Sequence, residues 1–224
     1  MTRQELDGNA HLTNQTLSIV VPVFNEEVVL PEFHRRLDAS LERLPQHAEI
    51  IYVNDGSTDR SLDLIHELKS RDQRVAIVDL SRNFGKEIAM TAGLDHALGD
   101  AVVIIDADLQ DPPELIGELV KRWQEGFDVV YARRMSRDGE SPVKKLTAYW
   151  YYRLIQRTNR VRIPVDTGDF RLLSRKAVES LRQLRETHRF MKGLFAWIGH
   201  PQTAVSYHRD KRYAGSTKFS YWSL

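Results

Sequence analysis

The sequence contains no cysteine. This absence excludes disulfides, thiolate metal sites and cysteine nucleophiles, so any metal must bind through oxygen or histidine. The eight histidines are scattered and form no spaced pair typical of a metal site. A glycine-rich dinucleotide fingerprint and a GK[ST] phosphate loop are also missing, which disfavours a redox dehydrogenase or a P-loop ATPase.

Long apolar runs are absent as well. No stretch approaches the roughly 18 to 20 apolar residues that a bilayer span requires. Residues 1–16 lack the apolar core of a signal peptide, and we expect them to form a disordered leader. The chain is cytoplasmic in character as given, and its abrupt end at "KFSYWSL" favours a truncated part of a longer protein.

Charge is divided unevenly along the chain. Residues 1–132 carry 12 Lys and Arg against 24 Asp and Glu, whereas residues 133–224 carry 20 against 7. An acidic half that holds a cation beside a basic half suits a polyanionic substrate or an anionic membrane surface. Nine of the basic residues lie within 133–162 around "AYWYYRLI". Cations beside Trp and Tyr are typical of an interfacial membrane segment, the alternative being a helix packed on the sheet or on another subunit.

Apolar runs alternate with segments of helical spacing. The runs rich in Val and Ile at 17–24, 49–55, 75–81, 101–108 and 128–134 are predicted strands. Apolar spacings of three and four between them predict helices, and 189–199 is a further apolar helix. The alternation predicts one α/β domain over 17–224, with a Rossmann-like, mainly parallel sheet flanked by helices and with amphipathic helices toward the C-terminus.

Three polar clusters follow predicted strands, and ligands of open α/β sheets bind at such ends. The clusters are "PVFNEE" at 22–27, "NDGSTD" at 54–59 and "DADLQD" at 106–111. Asp106, Asp108 and Asp111 fall within six positions, and ionised carboxylates so close repel one another unless they share a cation. A divalent metal is the simplest interpretation. Helix capping is the favoured role for Asp111 itself, and for Ser57 or Thr58 in the second cluster.

Six motifs in order carry a family resemblance. They are "VPVFNEE", "NDGSTD", "RNFGKEIAMTAGLDHA", "DADLQDPPE", "DTGDFRLLSRKA" and "YAGSTKFS". This set resembles the inverting GT-A glycosyltransferases of family 2, in the polyprenyl-phosphate branch of dolichol-phosphate-mannose-synthase-like and bactoprenol-glucosyltransferase-like enzymes. The resemblance covers residues 17–224. Members of this branch often continue into transmembrane helices after "KFS", where this chain stops.

The resemblance implies roles for particular residues. The implied nucleotide-binding residues are Pro22, Phe24, Glu26, Asp55, Lys86 and Asp106. The implied metal ligands are Asp106, Asp108 and Gln110, with Mg²⁺ or Mn²⁺ as cofactor. The implied catalytic residues are Asp108, Asp169, Arg212 and Lys218, with the last two contacting phosphate. Arg133, Arg137, Lys144 and Arg153 are the candidates for the acceptor phosphate or the membrane surface.

The implied acceptor has a consequence for the chemistry. A lipid monophosphate has a second pKa of about 6, so near neutral pH it is mostly a dianion and attacks without first losing a proton. Asp169 is therefore expected to position the acceptor or the sugar, and a role as general base is compatible but not required. A single in-line displacement inverts the anomeric centre.

The expected reaction is inverting transfer of a hexose from a nucleotide sugar to polyprenyl phosphate at the cytoplasmic face of a membrane. UDP-glucose and undecaprenyl phosphate are the first choices, and the product serves cell-envelope glycan or glycoprotein modification. GDP-mannose, UDP-galactose, UDP-N-acetylhexosamine and an amino-arabinose donor remain open, as does a saccharide hydroxyl acceptor. A catalytically inactive nucleotide- or nucleic-acid-binding module is the alternative from another class. The oligomeric state is open, although the resemblance implies that aromatic helices beyond the sheet can mediate a homo-oligomer such as a tetramer.

Overall fold

The computed structural model describes residues 15–135, 167–184, 186 and 190–207. Residues 1–14 of the predicted leader lie outside this part of the chain. The same holds for the candidate phosphate and membrane residues Arg137, Lys144, Arg153, Arg212 and Lys218. Their assigned roles therefore stay predictions.

Seven strands and six α-helices make up the described residues. The strands are β1 (Thr16–Val23), β2 (His47–Asn54), β3 (Val75–Asp79), β4 (Ala101–Ile104), β5 (Val129–Arg134), β6 (Thr167–Ser174) and β7 (Gln202–Tyr207). The helices are α1 (Leu30–Leu41), α2 (Ser61–Arg71), α3 (Lys86–His96), α4 (Ile116–Gln124), α5 (Arg175–Arg182) and α6 (Met191–Trp197). A 3₁₀ turn at Pro113–Leu115 leads into α4.

The strands form a single sheet in the order β3-β2-β1-β4-β6-β5-β7. β1, β2, β3 and β4 are mutually parallel, and β5 pairs in parallel with β7. β6 runs antiparallel to β4 and β5, and Ile104 lies opposite Arg171. β6 therefore begins at the end of the sheet where β1, β2 and β4 finish, and we call this end the sheet edge. Residues near position 169 consequently lie close to those near position 106.

Side chains alternate between the two faces of the sheet along each strand, and helices cover both faces. One face carries Ile19 and Tyr52 in a core covered by α1, α2 and α4. The other face carries Val20 and Val53 in a core covered by α3, α5 and α6. The helix layer changes side between β1 and β4, which makes the carboxyl ends of these two strands the topological switch point.

The prediction of a mainly parallel α/β sheet is confirmed, and all five predicted strands are present. Two further strands, β6 and β7, were not predicted. The sequence of β6, "TGDFRLLS", places Asp169 and Arg171 inside the strand, and β7 is an edge strand with exposed Gln202 and Ser206. Polar positions of this kind mask the apolar signal on which strand prediction depends.

The predicted apolar helix at 189–199 is present as α6, which buries Met191 and Phe195 on the sheet and leaves Trp197 62% exposed. Within the ranges that the structure describes, no helix is long and apolar enough to cross a membrane.

Candidate active site

The carboxyl ends of β1, β2 and β4, together with the start of β6, gather most of the described candidate residues. Pro22 lies in β1 beyond Val20, the last residue of that strand to pair with β4, and Phe24 follows β1 directly. Asp55 follows β2, and Asp106 follows β4. This arrangement agrees with the sequence expectation that the three polar clusters share one sheet edge.

The loops after β1 and β2 are joined through Asn25. Asn25 adopts a positive φ of 54°, a conformation that Asn tolerates better than most residues. Its Oδ1 accepts the backbone N–H of Thr58 at 2.7 Å, and its own N–H donates to Ser57 Oγ at 3.0 Å. Glu26 N–H donates to Ser61 Oγ at 2.7 Å. The two loops are therefore hydrogen-bonded to each other beside the predicted nucleotide pocket.

The prediction that Ser57 or Thr58 caps the next helix is wrong. The residue preceding α2 is Arg60, whose side chain makes no capping hydrogen bond, and the N–H of Ser61 donates instead to Asp59 Oδ1 at 2.9 Å. Ser57 Oγ instead accepts a hydrogen bond from the loop after β1, because the three-dimensional contact between the loops competes with local capping.

Asp55 organises a third loop. Its side chain is almost fully buried, and its two oxygens accept the backbone N–H groups of Phe84 at 2.7 Å and Gly85 at 3.0 Å. The neighbouring Gly56 has φ +65°, and a Cβ there would lie 2.3 Å from the carbonyl carbon of Arg82. Asp55 thus holds the segment that leads into α3 against the sheet edge, and its predicted nucleotide contact stays a prediction.

Lys86, the first residue of α3, links two acidic candidates. Its Nζ lies 2.6 Å from Asp106 Oδ2 and 2.5 Å from Asp169 Oδ2. Burial alone would raise the pKa of the Asp169 carboxyl, but the positive charges of Lys86, Lys192 and Arg171 together outweigh this effect and lower the pKa. For Asp106 burial dominates and raises the pKa in spite of Lys86. From the sequence, Lys86 was predicted to contact the nucleotide. No sequence pattern predicted its salt bridges to Asp106 and Asp169.

Arg171 supports Asp169 from behind the sheet edge. Its guanidinium is buried, donates to Gly168 O at 2.8 Å and to Asp169 O at 3.3 Å, and lies 3.7 Å from the centroid of the Phe195 ring. Burial lowers the pKa of Arg171 to about 10, so it remains charged near neutral pH. Sequence reasoning missed this residue, although an arginine within the apolar run "FRLL" was a usable signal.

The loop that carries Asp108 is compact. Asp108 is half-buried, and its Oδ1 accepts the backbone N–H of Gln110 at 3.0 Å. Between them Leu109 adopts φ +56° and buries its side chain. Leucine in the left-handed region is unfavourable and persists only where its surroundings hold it.

The oxygen donors at this edge fit a divalent cation that is only partly held by the protein. Asp108 and Gln110 offer oxygen ligands, whereas one oxygen of Asp106 already contacts Lys86. Across the described ranges no three His, Cys, Asp or Glu residues gather closely enough to hold a metal by themselves. Mg²⁺ commonly binds through one or two carboxylates and completes its coordination with substrate phosphates and water.

Asp111 does not cap a helix, so that prediction is wrong. No side chain caps the 3₁₀ turn or α4. The carboxylate is 1% exposed and instead accepts hydrogen bonds from Tyr207 and Arg134. Long-range partners on β5 and β7 replace the local cap, and sequence alone could not place them.

Arg133 is the one candidate acceptor residue within the described ranges. It is exposed on β5, and its Nη2 donates to Ser206 Oγ on β7 at 3.3 Å. Its contact with an acceptor phosphate or a membrane stays a prediction.

The chain is therefore an α/β protein in which acidic residues lie at the topological switch point of the sheet. Their oxygen atoms are compatible with a bound cation. Residues 18–182 match the family model described as "Glycosyl transferase family 2". The chain belongs to this family of glycosyltransferases, as the sequence resemblance indicated.

The chain is similar in sequence to two curated relatives and in fold to two solved structures. It is 52% identical over 202 residues to the "Uncharacterized glycosyltransferase YkcC" of Bacillus subtilis, covering 90% of this chain and 62% of the relative. It is 45% identical over 208 residues to the "Bactoprenol glucosyl transferase" of Shigella phage SfV, covering 93% and 68%. The chain thus spans about two thirds of the length of these relatives.

The solved structures show the fold. A mannosyltransferase from Pyrobaculum calidifontis in complex with GDP-Man and Mn²⁺ has a TM-score of 0.61 at 21% identity, over 86% of this chain and 55% of the other. Glucosyl-3-phosphoglycerate synthase from Mycobacterium tuberculosis, in complex with Mn²⁺, UDP-glucose and phosphoglyceric acid, has a TM-score of 0.59 at 21% identity, over 96% and 77%.

Proposed function

We propose that this chain transfers glucose from UDP-glucose to polyprenyl phosphate with inversion, using Mg²⁺ or Mn²⁺. The observation that carries the proposal is the 45% identity over 93% of the chain to a bactoprenol glucosyl transferase. The geometry of the sheet edge supports it, because acidic residues that fit a divalent cation lie where a nucleotide sugar would bind.

The leaving nucleoside diphosphate requires stabilisation as negative charge develops on it. A divalent cation held by Asp108, with Gln110 and Asp106 beside it, would supply Lewis-acid stabilisation of the diphosphate. Pro22, Phe24, Glu26 and Asp55 would line the nucleotide pocket, since they lie on the adjoining strand ends. Arg212 and Lys218 would add positive charge toward the phosphates.

Asp169 is better suited to positioning than to proton removal. Lys86 holds one of its oxygens and lowers its pKa, which makes the carboxylate a weak base. The other oxygen, Oδ1, has no hydrogen-bond partner among the described residues but is buried in this structure, so a sugar hydroxyl would donate to it only after the neighbouring groups move. A weak base suits an acceptor phosphate that is already a dianion better than a saccharide hydroxyl, which must lose a proton.

The acceptor places the reaction at a membrane surface, because a polyprenyl chain lies within the bilayer. The basic residues Arg133, Arg137, Lys144 and Arg153 would contact the acceptor phosphate or anionic lipid headgroups. A homo-oligomer, for which a tetramer is the first choice, stays a prediction, and light scattering of the purified chain would measure it.

The test is release of nucleoside diphosphate from a panel of UDP- and GDP-sugars. Each donor is incubated with and without a short polyprenyl phosphate or an oligosaccharide acceptor, in Mg²⁺, Mn²⁺ or EDTA. We expect release only with UDP-glucose, polyprenyl phosphate and metal together. Release with GDP-mannose or with the oligosaccharide would assign a different donor or acceptor, and release in EDTA would contradict the metal.

A further inference from the structure

Three side chains meet beside the loop formed by residues 106–111, which we call the metal-side loop. Tyr207 Oη donates a hydrogen bond to Asp111 Oδ1, and Arg134 Nη2 lies 3.3 Å from the same oxygen. Arg134 Nε also donates to Tyr207 Oη at 3.1 Å. Asp111 is 1% exposed. The three contacts form a closed triangle in which Asp111 and Tyr207 are buried and Arg134 is partly exposed; we name it the Asp111 anchor.

The Asp111 anchor joins separate parts of the fold. Arg134 and Tyr207 are the last residues of β5 and β7 and lie opposite each other in the sheet. Asp111 belongs to the loop after β4, on the other side of β6. Gly168 at the start of β6 passes beside the anchor, and a Cβ there would lie 3.1 Å from Arg134 Nη2 and 3.6 Å from Asp111 Oδ2. Glycine at this position leaves room for the triangle.

The loop from 106 to 111 depends on such a support. Leu109 has an unfavourable positive φ, and its buried side chain fixes the middle of the loop. Asp111 fixes the far end. Gln110 lies between these two fixed points, and its N–H donates to Asp108 Oδ1. A shift of Asp111 would therefore move its neighbour Gln110, and through the Gln110 N–H it would disturb Asp108 Oδ1.

We propose that Tyr207 and Arg134, acting through Asp111, are positioning residues that hold the 106–111 loop in the geometry required for the divalent cation. This inference rests on the proposed function, because it presumes that Asp108 and Gln110 bind the cation. Groups that orient metal ligands without touching the metal commonly change metal affinity by about 10- to 100-fold when they are removed.

The experiment compares Tyr207→Phe with Tyr52→Phe. Both variants keep the ring and remove one buried hydroxyl that bonds to an ionisable partner; for Tyr52, which is 0% exposed, that partner is His34 Nδ1 at 3.0 Å. Tyr52 lies in β2, which β1 separates from β4 and the loop that follows it, so it controls for loss of stability. Binding of Mn²⁺ in the presence of UDP is measured from the electron paramagnetic resonance signal of free Mn²⁺, which requires no turnover.

We expect Tyr207→Phe to weaken UDP-dependent Mn²⁺ binding by about 10-fold, while Tyr52→Phe binds Mn²⁺ like the unmodified chain. Equal Mn²⁺ affinity in all three proteins would overturn the inference and leave the proposed function standing. If the unmodified chain does not bind Mn²⁺ in the presence of UDP, the proposed function is wrong, and this inference is wrong with it.

A second comparison tests whether the effect passes through Asp111. Asp111→Asn and the double variant Tyr207→Phe/Asp111→Asn are titrated with Mn²⁺ in the same way. We expect the double variant to bind about as weakly as Asp111→Asn alone, because both changes break the same contact. If the two losses multiply, Tyr207 acts independently of Asp111, and the proposed route is wrong.

Discussion

Replacing Lys86 by methionine tests the charge arrangement at the sheet edge. The change keeps a long, unbranched side chain and removes the ammonium that lies 2.6 Å from Asp106 Oδ2 and 2.5 Å from Asp169 Oδ2. Two carboxylates would then share a partly buried site without the positive charge that now lies between them. We expect the folded state to be destabilised, and the size of the loss to depend on pH.

The magnitude follows from the burial of the three side chains. Breaking a fully buried ion pair by removing one partner costs about 3 to 5 kcal/mol. Here the side chains of Lys86, Asp106 and Asp169 are 33%, 25% and 12% exposed, so solvent screens part of the interaction. One carboxyl can also take up a proton. We therefore expect a loss of about 2 kcal/mol in the free energy of unfolding at pH 8.

The sign of the pH dependence follows from proton uptake. In Lys86→Met, burial and the neighbouring like charge raise the pKa of a carboxyl above its unfolded value. Between the pKa of the unfolded state and the raised pKa of the folded state, the folded state binds a proton that the unfolded state lacks. Over this pH window the stability of the variant falls as the pH rises. Each pH unit in this window corresponds to about 1.4 kcal/mol. The loss should therefore be clearly smaller at pH 5 than at pH 8.

Urea unfolding in EDTA, followed by intrinsic fluorescence at pH 5 and pH 8, measures both effects. Lys86→Arg keeps the charge and should retain most of the stability. Lys69→Met removes an exposed lysine of α2 and serves as the matched control. If Lys86→Met loses no more stability than Lys69→Met, the bridge to Asp106 and Asp169 contributes nothing and the reasoning is refuted. If Lys86→Met loses the same amount at both pH values, the predicted proton uptake by a carboxyl is wrong.

Three further predictions concern other parts of the molecule. Asp108→Asn should abolish metal-dependent release of nucleoside diphosphate, and unchanged release would show that the metal assignment is wrong. Gly93→Ala should destabilise the protein by about 1 to 3 kcal/mol in thermal unfolding, because a Cβ there would lie 2.2 Å from Val20 Cγ1; equal or higher stability would contradict the tight packing of α3 on β1. Burial lowers the pKa of His34 from 6.5, so the unfolded state binds more protons below that pH and stability falls as the pH falls. His34→Phe should flatten this part of the urea stability profile between pH 7.5 and 5.5, and an unchanged slope would rule out the contribution of His34.

The five strands that the sequence predicted share a strong local signal. Each is a short run rich in Val and Ile, and burial is most complete in β4, where all four residues are fully buried. β6 gave no such signal, because Asp169 pairs with Lys86 and Arg171 is buried against Phe195 and backbone carbonyls. Prediction from apolar pattern fails where a strand carries polar residues that depend on distant partners.

The amino-acid sequence by itself determined the α/β class, the position of the acidic clusters after the strands and the membership in family 2. These features depend on local periodicity and on short motifs, which can be read from neighbouring residues. Only the tertiary structure decided the partners of those residues: Lys86 between Asp106 and Asp169, and Asp111 with Tyr207 and Arg134. Tyr207 is separated from Asp111 by 96 positions, and only the strand order of the sheet brings such residues together, because long-range contacts follow from global packing and leave no local pattern.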